Sequence, residues 1–192
     1  MAVKLLALAG SAREGSLNKR LARAAALSAE AAGANVTFVD LNDYAMPLYH
    51  GDLEAKEGVP EASRGLRKLL RETDGLLIAS PEYNGFVTPL LVNTFDWLSR
   101  KDGEESGLDL FKGKYGVLMS ASPGPLGGIR SLAAARQFIT TLGVTLLPDQ
   151  LAVSKAHEAF DEEGRLKEEG QRSRLDGMTQ RLVTTLSALE HS

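Results

Sequence analysis

The stretch Lys4-Leu5-Leu6-Ala7-Leu8-Ala9-Gly10-Ser11-Ala12-Arg13-Glu14-Gly15-Ser16-Leu17-Asn18 decides how the rest of the chain is read. A short apolar run breaks at Gly10 into small and polar residues, then passes at Leu17 into a helical pattern. Buried strand, tight loop and helix in that order form the opening unit of a parallel α/β sheet. A helix that starts straight after such a loop turns unpaired N–H groups and partial positive charge toward it, which makes an anion site. Ser11, Ser16 and Asn18 add hydrogen-bonding side chains, and Arg13 adds a full charge.

The same rhythm continues along the chain. Apolar runs predict strands near Lys4–Ala9, Asn35–Asp40, Gly75–Ser80, Tyr115–Ala121 and Thr145–Val153. Between and after them, helical periodicity predicts Leu17–Ala32, Glu61–Glu72, Thr88–Arg100, Gly128–Leu142 and Glu162–Glu190, with Gly33 and Gly143 as stops. The segments Ala45–Pro60 and Lys101–Lys114, rich in glycine and charge, are expected to be surface loops. Five strands in alternation with helices fit a flavodoxin-like doubly wound sheet of order 2-1-3-4-5, built as one domain over residues 1–192.

What the first loop lacks narrows its ligand. A dinucleotide fingerprint needs glycine where Ala12 stands, and a Walker loop needs lysine where Ser16 stands. Serines, an asparagine and an arginine without the Walker lysine suit a terminal phosphomonoester, the group that FMN carries. With 192 residues, a net charge of −3 and a pI near 5.7, the chain offers no electrostatic case for nucleic acid or an anionic membrane. The absence of cysteine excludes a disulfide framework, a thiol nucleophile and iron–sulfur ligation. His50, His157 and His191 have no metal-ligand spacing, so no metal is expected. A cytoplasmic protein is the default expectation.

Two further loops follow strands at the same carboxyl edge. Ser80-Pro81-Glu82-Tyr83-Asn84-Gly85 comes after the third strand, beside the first loop at the switch point of a 2-1-3-4-5 sheet. Tyr83 could cover part of a flat ring, and backbone N–H groups from Glu82 to Gly85 could meet its polar edge. Turn chemistry alone would have Pro81 and Gly85 setting angles and Asn84 capping the next helix. Ser120-Ala121-Ser122-Pro123-Gly124-Pro125-Leu126-Gly127-Gly128 comes after the fourth strand, with small residues that let backbone approach a planar ligand.

Gly10-Ser11-x-Arg13-x-x-Ser16-x-Asn18, Ser80-Pro81-Glu82-Tyr83-Asn84-Gly85, Asn93-Thr94-Phe95-Asp96-Trp97-Leu98-Ser99 and Gly127-Gly128-x-Arg130 together resemble the NADPH-dependent FMN reductase family, which includes quinone and chromate reductases. The resemblance runs from about Val3 to about Val153 and departs from the family pattern at Phe86 and Val92. It implies bound FMN, NADPH or NADH as electron donor, and a homodimer or homotetramer. It carries phosphate and ribityl contacts onto Ser11, Arg13, Ser16, Leu17 and Asn18. Ring contacts fall on Pro81, Glu82, Tyr83, Asn84 and Gly85, and on Ser120, Ala121 and Ser122.

The expected activity is an FMN-dependent NAD(P)H oxidoreductase delivering electrons to a small acceptor such as a quinone, flavin, azo compound, chromate or ferric chelate. The cofactor carries the hydride, so no side chain is assigned a catalytic role. The alternative is an electron carrier like flavodoxin, which has no NAD(P)H-oxidising site of its own. Trp97 falls on one helix face with Leu90, Leu91, Thr94 and Leu98, which makes it a core or interface residue. Asp96 and Arg100 have the spacing of a surface helix pair. The apolar pair Phe86 and Val87 is expected at a subunit contact that completes the pocket.

Overall fold

Apolar runs buried on both faces require cover on both faces, and the computed structural model, which describes residues 2–189, supplies it. Five parallel strands lie in the order β2-β1-β3-β4-β5: β1 Lys4–Ala9, β2 Asn35–Val39, β3 Gly75–Ala79, β4 Tyr115–Ala121 and β5 Thr145–Val153. Strand alternation splits the core in two. Leu5, Ala7 and Ala9 face α1 (Leu17–Ala31) and α6 (Glu169–Leu189). Leu6 and Leu8 face the side packed by α3 (Glu61–Arg71), α4 (Pro89–Leu98) and α5 (Ile129–Thr141). Ala22, Ala25 and Ala29 are fully buried, so α1 lies close to the sheet and its N-terminus is held near the central strand ends.

The elements depart from the periodicity reading at three segments, one of them Lys101–Lys114, expected to be a surface loop, where Gly107–Leu110 forms a 3-10 turn and Leu110 and Phe111 pack into the core. Gly51–Glu57, expected within a loop, forms the short helix α2 although none of its residues is buried. Tertiary bonds hold it: the Tyr49 hydroxyl donates to Glu54 Oε2 at 2.9 Å, and Arg100 Nε donates to Glu54 Oε1 at 2.9 Å. The last helix begins at Glu169 rather than Glu162. Gly164 has a φ of 81°, and Arg165 N–H donates to Asp161 Oδ1 at 2.7 Å, so this segment turns before Glu168 caps the helix at Gly170 and Gln171. The expected helix end at Glu190, and His191, lie outside the described residues. No described helix is long and apolar enough to cross a membrane.

Candidate functional site

The loop after β1 is shaped by bonds of its own and to its neighbours, with the N–H groups of Ser11 and Ser16 spent on the carbonyls of Ala9 and Arg13. Gly10 N–H donates to the Ala79 carbonyl at 2.9 Å, which seats the loop beside the end of β3. Ser16 caps α1, its hydroxyl accepting from Lys19 N–H at 3.3 Å. The first-turn N–H groups of Leu17 and Asn18 have no intrahelical partner. Thr88 was not singled out by the sequence, yet it ties two elements together. Its hydroxyl donates to the Gly10 carbonyl at 2.7 Å and accepts from Leu91 N–H at 3.3 Å, so it caps α4 in place of Asn84. A Cβ on Gly10 would lie 2.7 Å from Thr88 Oγ1 and 3.1 Å from Leu91 Cβ, which is why glycine stands there. The readable signal was Thr88-Pro89, a capping residue followed by proline at the first helical position.

Asn18 takes a different role from the one its position suggests. Its amide is buried and closes on the backbone of Ala121, Nδ2 donating to the carbonyl at 2.8 Å and Oδ1 accepting from N–H at 2.9 Å. The side chain therefore clamps the first loop to the third.

The second loop is a miniature hairpin. Tyr83 and Phe86 exchange N–H to carbonyl bonds at 3.0 Å, and Asn84 and Gly85 turn between them with φ of 54° and 79°, the left-handed pair that an Asn-Gly turn supplies. Tyr83 N–H is thus spent inside the hairpin. Glu82 reaches across to the third loop, where its Oε2 accepts from Arg130 N–H at 3.1 Å and Ser131 N–H at 3.3 Å at the start of α5. Its Oε1 accepts from Arg130 Nε at 2.7 Å and also from Arg130 Nη2, so one oxygen takes the guanidinium and the other the two backbone N–H groups. The Arg130 bond, with help from the two N–H groups and against burial, holds the Glu82 carboxyl below its ordinary value.

The three loops enclose a cleft of about 170 Å³. Ser11, Arg13, Ser16, Leu17 and Asn18 line it on one side, Pro81, Glu82 and Tyr83 on another, and Ala121, Ser122 and Pro123 on the third. Asn84, Gly85 and Ser120 do not line it. The first two form the hairpin tip, and Ser120 is buried beneath Gly128, its hydroxyl without a hydrogen-bond partner. The cleft is smaller than the roughly 300–1,000 Å³ of a closed ligand pocket, and its far end is open. Tyr83 (54% exposed), which lines the cleft, and Phe86 (56%) stand on the hairpin, Leu126 (53%) on the third loop and Ile129 (49%) at the start of α5. A larger hollow of about 470 Å³ between α1 and α6 lies away from the strand ends and lacks convergent backbone donors.

The donor set fits a phosphate monoester. Residues bearing two hydroxyls, two first-turn N–H groups and the Arg13 guanidinium line the cleft, and the single lining carboxylate, Glu82, is compensated. Arg13 is exposed, and its Nη2 donates to the Gly15 carbonyl at 3.0 Å. Among the described residues no group of three His, Cys, Asp or Glu side chains could hold a metal ion.

Two expectations change at the site's margin and one, the burial of Trp97, holds. Val87 is only 3% exposed and belongs to the core, so Phe86 alone of that pair is free. Arg100 turns to Glu54 and not to Asp96, because the loop before α2 brings a carboxylate within reach. Trp97 is fully buried, and its Nε1 donates to the Pro47 carbonyl at 2.8 Å. Asn93 Nδ2 donates to the same oxygen at 3.0 Å, which accounts for both residues of the Asn93 to Trp97 motif.

Residues 3–158 match the family model described as NADPH-dependent FMN reductase. The chain is 33% identical over 181 residues to an NAD(P)H-dependent FMN reductase of Pseudomonas aeruginosa, covering 94% of this chain and 93% of the relative. It is 31% identical over 176 residues to a 2-hydroxy-1,4-benzoquinone reductase of a Burkholderia species, covering 91% of each. Among solved structures it superposes on a flavoenzyme NAD(P)H:(acceptor) oxidoreductase of Paracoccus denitrificans with a TM-score of 0.81 at 25% identity, over 97% of this chain and 98% of the other.

Proposed function

The chain belongs to the NADPH-dependent FMN reductase family, and from that premise we propose that it is a quinone reductase whose active site is the three-loop cleft. It is an oxidoreductase with FMN as cofactor and NAD(P)H as donor. The observation that carries the siting is the convergence of the predicted loops on one cleft rich in donors and without uncompensated negative charge. The described residues work as one FMN-binding unit, and we place it in the cytoplasm, where reduced nicotinamide nucleotides are made.

Bound FMN supplies a ring that accepts a hydride and later yields two electrons. The chain's own work is to hold and expose it. Ser11, Ser16, Arg13 and the N–H groups of Leu17 and Asn18 hold the phosphate. Pro81, Tyr83, Ala121 and Ser122 border the chain and ring, while the Glu82–Arg130 pair keeps the second and third loops in register. Tyr83, Phe86, Leu126 and Ile129 form an apolar shelf at the open end, and this favours a planar aromatic acceptor over chromate or a ferric chelate. A second copy of the chain would cover these exposed apolar side chains and close the pocket, so we assign a homodimer.

The rival carrier reading expects a strongly acidic docking rim, and the rim here is apolar with Arg13 and Arg130 exposed. Anaerobic reduction of the holo-protein with NADH and NADPH, then reoxidation with benzoquinone, free flavin, an azo dye, chromate and ferric citrate, tests the assignment. Fast bleaching by a nicotinamide and fastest recovery with benzoquinone are expected. A flavin that neither nicotinamide reduces would favour the carrier.

A further inference from the structure

Beside the phosphate loop lies a largely buried ion pair whose placement needs a reason. Lys19 is on the first turn of α1, and its side chain is almost wholly enclosed. Its ammonium donates to Asp40 Oδ2 at 2.6 Å and to the Ala12 carbonyl at 3.2 Å. Asp40 follows β2, and its other oxygen accepts from Asn42 N–H at 3.0 Å. An enclosed ammonium is costly even when paired, and ordinary surface pairs such as Arg181–Asp149 join elements without that cost.

The reason lies in the peptide that Lys19 grips. In a trans peptide the carbonyl and the following N–H point in opposite directions. Holding the Ala12 carbonyl on the ammonium turns Arg13 N–H the other way, toward Ser11 Oγ at 3.4 Å, and Ser11 and Arg13 both line the cleft. The backbone of Lys19 is also the donor that Ser16 caps, so one residue braces both arms of the loop. Asp40 stands only one ammonium away from this backbone. Left unpaired, its negative charge would oppose a phosphate dianion.

We propose that Lys19 is a positioning residue for the FMN phosphate: it turns the Ala12–Arg13 peptide so that Arg13 N–H holds the cleft-lining Ser11 hydroxyl, and it cancels the charge of Asp40 beside it. This rests on the assignment of the cleft to FMN. The surroundings of the pair agree with it, since Asp40, despite burial, is held below its ordinary carboxyl value by Lys19, the Asn42 N–H and Arg23.

The test titrates flavin-free protein with FMN and, separately, with riboflavin, which has the same ring and ribityl chain but no phosphate. Binding is followed by quenching of flavin fluorescence. Lys19→Met is expected to weaken FMN binding by about tenfold or more while riboflavin affinity stays within about twofold. A merely structural role would move both flavins together. Lys19→Arg, which keeps the charge and donors, is expected to recover the preference for FMN. Lys19→Met/Asp40→Asn removes the stranded carboxylate that threatens folding, yet still leaves Ala12 unheld, so its FMN loss is expected to persist. A wild-type FMN-to-riboflavin preference in either methionine variant overturns the role of Lys19. A wild-type protein that binds both flavins equally overturns instead the phosphate assignment on which it rests.

Discussion

Asn18 and Ala121, 103 residues apart, are joined by a reciprocal pair of hydrogen bonds at 2.8 and 2.9 Å, so the loop after β1 cannot move without the end of β4. Removing the amide strands a buried N–H and a buried carbonyl. Asn18→Ala is therefore expected to cost about 2–4 kcal/mol of stability, read from urea unfolding of the flavin-free protein. Asn18→Asp keeps the acceptor for Ala121 N–H but adds charge beside the phosphate donors. The new carboxylate oxygen faces the buried Ala121 carbonyl, so Asn18→Asp should cost at least as much stability as Asn18→Ala and lose more FMN affinity, and an affinity no lower than that of Asn18→Ala would show that Asn18 does not border the phosphate.

Arg13 gives the opposite pattern. Its side chain is exposed and touches only the Gly15 carbonyl, so the fold does not depend on it. Arg13→Ala is expected to leave the melting temperature of flavin-free protein unchanged. FMN binding should weaken by about tenfold to a hundredfold, the effect of losing a charge-assisted bond of roughly 1.5–3 kcal/mol. Undiminished flavin retention on dilution would show that Arg13 is a solvated charge.

Glu82 predicts a pH dependence with a definite sign. Its carboxyl lies below the ordinary glutamate value of 4.5, chiefly through Arg130. The folded state therefore holds fewer protons than the unfolded state just below that pH. The stabilisation is complete above about pH 4.5 and disappears as pH falls through the lowered value. Glu82→Gln should cost about 1–2 kcal/mol at pH 7, tempered by the exposure of Arg130, and the gap from wild type should close on acidification. A gap that widened toward pH 3 would contradict the pairing.

Phe86 separates the acceptor shelf from the phosphate cleft. Phe86→Ser is expected to raise KM for benzoquinone by about fivefold to tenfold, in line with an aromatic contact of about 1–1.5 kcal/mol. FMN affinity should hold. Light scattering should also show a weaker dimer, and an unchanged mass with an unchanged quinone KM would remove Phe86 from both roles.

The five strands were readable to within a residue at their ends: the central β1, β3 and β4 are covered on both faces and read as apolar runs, while the edge strands β2 and β5 carry polar residues and were placed by the alternation with helices. The same logic located the cleft, since loops after β1, β3 and β4 leave the sheet at one edge whatever their side chains do. Composition and spacing carry this information because burial acts on each short segment in turn. Helix α2 was not readable, for it buries nothing and is held by Tyr49 and Arg100 from other segments. The pairings Glu82 with Arg130, Lys19 with Asp40, Thr88 with Gly10, and Arg100 with Glu54 in place of Asp96 were likewise settled in three dimensions. A charged or hydroxyl side chain can be satisfied by any partner the fold brings within about 3 Å, and that choice is made by packing across the sheet edge, where neighbours in space are 21 to 78 residues apart in the chain.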